Sequence, residues 1–257
     1  MDTIDEQAPL DLGDRITELR ARASSGDESA AADAWALLEE LEQLATTYRD
    51  AGVTALDAVF AGGTVPTDLD GPMSGTVLVP LVQPLIDWAT RAVGSIWMPW
   101  HGMHFDRENG RGTNTIGDHA RWPAKLLWPR YRTEDTDDGR HAFEFVTHVE
   151  PSIDDPDLDV LALDFGSVDA NPSLLVKHLR DEIVQVVPGV YLGKVLHRHG
   201  DEFATVGYIA LRPAADVPVA APAAKDWWRL PSPVALLNLR SRRTATEEPS
   251  TDTEETR

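Results

Sequence analysis

The stretch on which the fold turns is VYLGKVLHRHGDEFATVGYIALR, residues 190–212. Its halves, 190–198 and 203–212, are rich in branched and aromatic residues and flank the polar turn HGDE, a spacing that predicts an antiparallel hairpin. Working outward, DVLALDF (159–165) and HAFEFVTHV (141–149) read as further short strands. EDTDDG, after the candidate strand KLLWPRYR (125–132), is a second hairpin signal. MPWHGMHF (98–105) runs into DRENGRG, whose Asn109-Gly110 pair is a third. GTVLVP (75–80) is a short apolar strand. Two stretches keep helical spacing: 80–97, with Leu81, Leu85, Trp88 and Ala92 on one stripe, and 171–186, with Leu174, Leu175, His178, Leu179, Glu182 and Ile183. The expected fold class is therefore α+β, mainly an antiparallel β-barrel of seven or eight strands, with N-terminal helices and helices inserted at the barrel mouth.

The segments around this domain differ in charge. Residues 1–50 hold 13 acids and 4 bases and read as helical: Trp35, Leu38, Leu41, Ala45 and Tyr48 recur at spacings of three and four. Gly52 is the expected cap of that helix, and a short helix through Leu56 and Phe60 should end at Gly62 and Gly63. An earlier helix is expected from Asp14 to about Ala23. The barrel-like domain is placed at 51–212, and 213–243 is a Pro/Ala linker with a basic Trp/Leu-rich segment. The tail 244–257, with 5 acids and no apolar residue beyond an alanine, is expected to be disordered.

The chain has 257 residues, a net charge of −20 and no cysteine. The acidity argues against nucleic-acid binding, which needs clustered positive charge. The missing cysteines exclude a disulfide framework, thiolate metal ligands and a cysteine nucleophile. No 18-residue apolar run and no signal-peptide pattern is present, so a cytoplasmic location is expected.

No nucleotide-binding or hydrolase motif appears, and Asp164-Phe165-Gly166 stands without the other parts of a kinase. His101 and His104 would point to opposite faces of a strand unless Gly102 marks a bulge, so no metal is expected, and no cofactor. His197 and His199 read as surface turn residues. Asp164 alternates with Leu161, Leu163 and Phe165; facing inward it would be a ligand contact or an acid, facing outward an ordinary surface charge. His148 is a candidate general base without an evident partner. The aromatic residues Trp97, Trp100, Trp122, Trp128, Tyr131, Phe143 and Phe145 fill the barrel or line a cavity. In 225–243, Trp227, Trp228, Arg229 and Arg240 suit either docking on the acidic body or a membrane surface.

Short paired strands, an aromatic-rich interior and a late helix resemble lipocalin-like (calycin) barrels. DLDGPMSGTVL (68–78) and NPSLLVKHLRDEIVQVVPGVYLGKVL (171–196) are similar to uncharacterised bacterial proteins of that type. The resemblance implies a barrel that binds an apolar small molecule or lipid; the residue pattern itself makes Trp97, Trp100, Trp128, Tyr131, Phe143, Phe145, His148 and Asp164 the candidate contacts. The alternatives are a cofactor-free enzyme using Asp164 and His148 in the same cavity, and a protein-interaction scaffold presenting the Trp35–Leu38–Leu41 stripe.

Overall fold

The computed structural model describes residues 8–81, 100–117, 131–136, 139–173 and 175–214. These all belong to the first of two compact units, 1–221 and 222–257. Three helices come first, α1 (Ala8–Ser24), α2 (Ser29–Thr47) and α3 (Arg49–Ala61). Among the described residues nine strands follow: β1 (Gly71–Pro80), β2 (Trp100–Asp106), β3 (Arg111–Ile116), β4 (Glu134–Thr136), β5 (Gly139–Pro151), β6 (Asp159–Asp164), β7 (Leu179–Val187), β8 (Val190–His199) and β9 (Glu202–Pro213). Every pairing is antiparallel, and the additional β3–β5 pairing, from Arg111↔Val146 to Ile116↔Arg140, closes eight strands into a barrel. The short β4 adds a flap on β5. Register shifts, as at Val77/Val79 and Trp100/Gly102, supply the bends that closure needs.

The β8–β9 hairpin forms as its sequence implies, with Tyr191↔Leu211 and His199↔Glu202 near its ends. One expectation fails outright: 171–186 is not a helix. After a single 3-10 turn at Val176–His178, the chain runs as β7. The reason lies in burial on both faces. Ile183 faces the barrel interior, while Val184 and Val186 meet the helices outside. Such a strand shows a continuous apolar run instead of alternation, and the apolar spacing then mimics a helix. The helix expected over 80–97 falls, beyond Leu81, outside the described residues, as do residues 125–130 of the expected strand, and Tyr131 and Arg132 are not in a strand. The hairpin expected from EDTDDG starts within EDT itself, as β4. β3 carries no strong strand signal beyond the Asn109-Gly110 turn before it.

Two cores result. Inside the barrel, Met73, Met103, Phe105, Phe145, Leu163, Ile183, Val195 and Ile209 pack together. The Phe145 ring lies 5.4 Å from those of Phe105 and Phe165. Glycines make room for bulky neighbours: a Cβ at Gly112 would lie 2.4 Å from the Phe145 ring, and one at Gly193 would lie 2.7 Å from Ile209. Large side chains over glycines are how a small barrel fills.

Outside, the helices cover the β7–β8–β9–β1 wall. Leu38, Leu41, Leu56 and Phe60 meet Leu78, Val184, Leu192 and Ala210. Trp35, Leu38 and Leu41 are thus buried on the barrel, so the stripe proposed as a partner surface is already occupied. Tyr48 is 64% exposed and leaves that stripe. Gly52 is not a cap but lies within α3, where it touches α2.

Polar groups lock this wall. The Lys194 ammonium sits 2.7 Å from Asp57 of α3, 3.3 Å from Asp154 and 4.9 Å from the centre of the Phe60 ring. The Tyr208 hydroxyl also donates to Asp57 at 2.6 Å, and desolvation followed by that carboxylate holds its pKa far above the usual phenol value. Glu182, wholly buried on the same outer face, accepts from Arg180, the Ser152 hydroxyl (2.7 Å) and the Ile153 amide (2.9 Å).

Gly52→Ala tests the helix packing directly, because the new Cβ would come within 2.3 Å of the Ala45 backbone. Overpacking against backbone should destabilise the chain by about 1–3 kcal/mol, seen as a lower urea midpoint with an unchanged slope.

Candidate functional site

The strand ends that lead into 81–99, 117–133, 165–178 and 200–201 all lie at one end of the barrel. This loop-rich end holds Asp181 and His197, each with a sealed polar atom that has no hydrogen-bond partner. Along β7 the inner face carries Leu179, Asp181 and Ile183; cross-strand partners of Asp181 are Leu163 on β6 and Val195 on β8. Asp181 therefore sits one side-chain layer in from the strand end, walled by aliphatic groups. It is 2% exposed, and its Oδ1 is sealed from solvent without a hydrogen-bond partner. Desolvation raises its pKa to about 8, so at neutral pH it is mostly a protonated acid.

His197 occupies the next inner position of β8, opposite Leu179 and two register positions outward from Asp181. Its Nδ1 lies 3.2 Å from His199 Nε2, its ring centre is 5.8 Å from that of His178, and its Nε2 is sealed without a partner. Desolvation, then the neighbouring His199 and His178, lower its pKa to about 4, so it is neutral at pH 7. It is a half-buried member of this end and not a simple surface residue.

The opposing arc is aromatic. The Trp100 indole N–H donates to Asn114 at 2.8 Å, and the Asn114 amide donates to the Phe143 carbonyl at 3.2 Å. Tyr131 stacks on Phe143 with ring centres 5.1 Å apart, and the Phe143 amide donates to the Tyr131 hydroxyl. Burial raises the Tyr131 pKa. Trp100, Tyr131 and Phe143 all pack against the interior cluster, as does Leu175 of the 165–178 loop. Asn171 ties that loop to the barrel, donating to the carbonyls of Glu144 (2.6 Å) and Phe165 (2.9 Å).

Phe143 and Leu175 are also the non-glycine residues with positive φ among the described residues, at 54° and 76°. Bulky side chains in that region are strained by about 1–3 kcal/mol, and such strain clusters at functional sites. Both strained residues belong to this one end of the barrel.

The predicted site residues divide accordingly. Trp100, Tyr131 and Phe143 come together at the loop-rich end, and Phe145 is fully buried in the interior core. Trp97, Trp122 and Trp128, with Trp227, Trp228, Arg229 and Arg240, lie outside the described residues. His148 is exposed, which corrects its reading as a lining residue or general base. Asp164 lies on the outer wall, on the Val160 side of β6, where it accepts from the Gly166 amide at 2.7 Å and the Ser167 hydroxyl. A local turn, not a ligand, takes up its charge.

Gly102 does mark a bulge, with φ of 146° and a register shift beside it, yet His104 meets His141, with ring centres 5.2 Å apart. Among the described residues no group of three His, Asp or Glu side chains is placed to hold a metal ion. No helix among them is long and apolar enough to cross a membrane.

No protein-family model and no curated protein matches the chain. A solved structure, described as a protein from Thermomonospora curvata, is 13% identical to it. That match covers 67% of this chain and 97% of the other, with a TM-score of 0.36, a likeness too low to bear on fold or function. The closed antiparallel barrel is itself of the general kind seen in calycins and is compatible with small-ligand binding.

The Asp181 carboxyl has a consequence for stability. Its folded pKa, about 8, lies above the ordinary value of 3.8, so the folded state holds more protons between them. Stability should fall as pH rises through that window and level off above it. Asp181→Asn removes this contribution. Its melting temperature should gain on the wild type steadily from pH 5 to pH 8, by an amount equivalent to about 4 kcal/mol. A constant difference across that range would contradict the buried-acid assignment.

Proposed function

We propose that the barrel takes up one small, predominantly apolar molecule, of the lipid or isoprenoid class, at its loop-rich end. The observation that carries this reading is Asp181, a carboxyl on the inner wall with one oxygen sealed and unpartnered. A buried polar group without a partner costs about 1–3 kcal/mol, and a ligand bearing one hydrogen-bonding group would relieve it. As a protonated acid, Asp181 donates to a carbonyl, ether or hydroxyl oxygen. Trp100, Phe143 and Tyr131 supply flat apolar surface across from it, and the strained Phe143 and Leu175 mark the same end. Phe105, Phe145 and Phe165 occupy interior volume, which favours a ligand seated near the end over one threaded through the barrel. In this reading the segment 225–243 meets an anionic membrane surface in the cytoplasm through Trp227, Trp228, Arg229 and Arg240.

A second reading draws on Asp181 and His197 together. Their pKa values are pushed in opposite directions, to about 8 and about 4, giving a protonated acid and a neutral base two register positions apart at pH 7. Pairs separated in this way are how acid–base roles are assigned in catalytic sites. This pair replaces Asp164 and His148 as the candidates for acid–base chemistry.

Native mass spectrometry of the protein purified from its own host, followed by organic extraction, tests the binding reading. The expected result is one apolar molecule per chain, with affinity reduced about tenfold, or 1.4 kcal/mol, in Asp181→Leu and unchanged in His148→Ala. Ligand retained equally by Asp181→Leu would remove the role given to the carboxyl.

A further inference from the structure

A second feature of this end faces outward and has no part in the binding reading above. Beneath the 165–178 loop, on the outer wall of β6, β7 and β8, lies a half-open cleft of about 390 Å³. This size falls within the range of small-molecule sites. Its walls include Lys177, His178, Arg180 and Arg198, with Asp164 and Ser167. Four basic side chains around one cleft run against the character of a chain whose net charge is −20.

The charges in the cleft are not equally committed. Arg180 is neutralised within the wall by Glu150 and Glu182. Asp164 spends its carboxylate on Gly166 and Ser167. Among the described residues Lys177 has only a loose partner, Asp169 at 3.7 Å, whose side chain is fully exposed. Arg198 has no ion-pair or hydrogen-bonded side-chain partner among the described residues. It projects from the outer face of β8 opposite Phe203. Two positive charges are therefore available to an incoming anion, with the His178 ring as a further donor.

We propose that this cleft binds a phosphate monoester group, with Arg198 as the fork that grips it and Lys177 as the second charge. A dianion matches the two uncommitted cations. The guanidinium plane offers paired N–H donors to two of its oxygens, which a single ammonium cannot do. The group belongs either to a soluble phosphorylated metabolite or to the headgroup of a lipid; the chemistry at the cleft is the same for both.

The test uses the full chain, with inorganic phosphate and glycerol phosphate titrated by calorimetry at fixed ionic strength against chloride. A parallel arm uses sedimentation with phosphatidylcholine vesicles doped with phosphatidic acid. Saturable one-to-one binding of the soluble phosphates, weakened at least tenfold by Arg198→Ala and by Lys177→Ala, supports the site with a soluble source. Binding to doped vesicles alone, lost in the same two variants, supports it with a lipid source. His148→Ala, exposed and outside the cleft lining, should bind as the wild type in either arm. Arg198 is exposed, so its replacement leaves the core intact. Absence of binding in both arms, or binding indifferent to Arg198 and Lys177, overturns the proposal.

Discussion

Closure of the sheet through the β3–β5 pairing governs everything else in this protein. With Arg111–Ile116 joined to Arg140–Val146, eight strands have no free edge, and each side chain must face either a narrow interior or the outside. Closure at this size leaves little interior room, and the chain meets the constraint by setting Phe145 over Gly112 and Ile209 over Gly193. It also leaves a wide outer wall on β7, β8, β9 and β1, which the three helices cover. β7 is then buried on both faces.

The consequence is clearest at two adjacent residues of β7. Asp181 and Glu182 are both buried, and alternation sends them to opposite sides of the wall. Glu182, outside, is met by Arg180, Ser152 and Ile153 and pins the β5–β6 loop. Asp181, inside, has Leu163 and Val195 beside it, and one oxygen goes unmatched. The first arrangement is structural; nothing about folding calls for the second. An acid held against that cost, at the end where Phe143 and Leu175 are strained, is the physical basis for placing function there.

Much of the barrel was legible because its hairpins announce themselves. HGDE lies between two runs of strand-forming residues, and the β8–β9 register follows from it, while Asn109-Gly110 marks the turn between β2 and β3. The helices were legible from the spacing of Trp35, Leu38 and Leu41, although that spacing does not say whether the partner is this chain or another. The site was largely hidden. Asp181 falls in a segment whose doubly covered strand imitates a helix, so its isolation inside the barrel leaves no trace in the pattern. Asp164 attracts notice within an alternating strand, yet alternation gives two faces without saying which is inner, and a turn had already claimed its carboxylate. Asn114, which aligns Trp100 with Phe143, lies in a strand with no strong signal of its own. His197 looks like a turn residue until the barrel closes around it.

The central claim is that a protonated carboxyl waits on the inner wall of this barrel. Side-chain carboxyl NMR of Asp181, assigned through Asp181→Asn and followed against pH on the full chain, tests it most directly. The account predicts a resonance that remains in its protonated position through neutral pH and titrates near 8. Titration in the ordinary carboxylate range, near 3.8, would mean that the group is solvated or paired, and the site would lose its anchor.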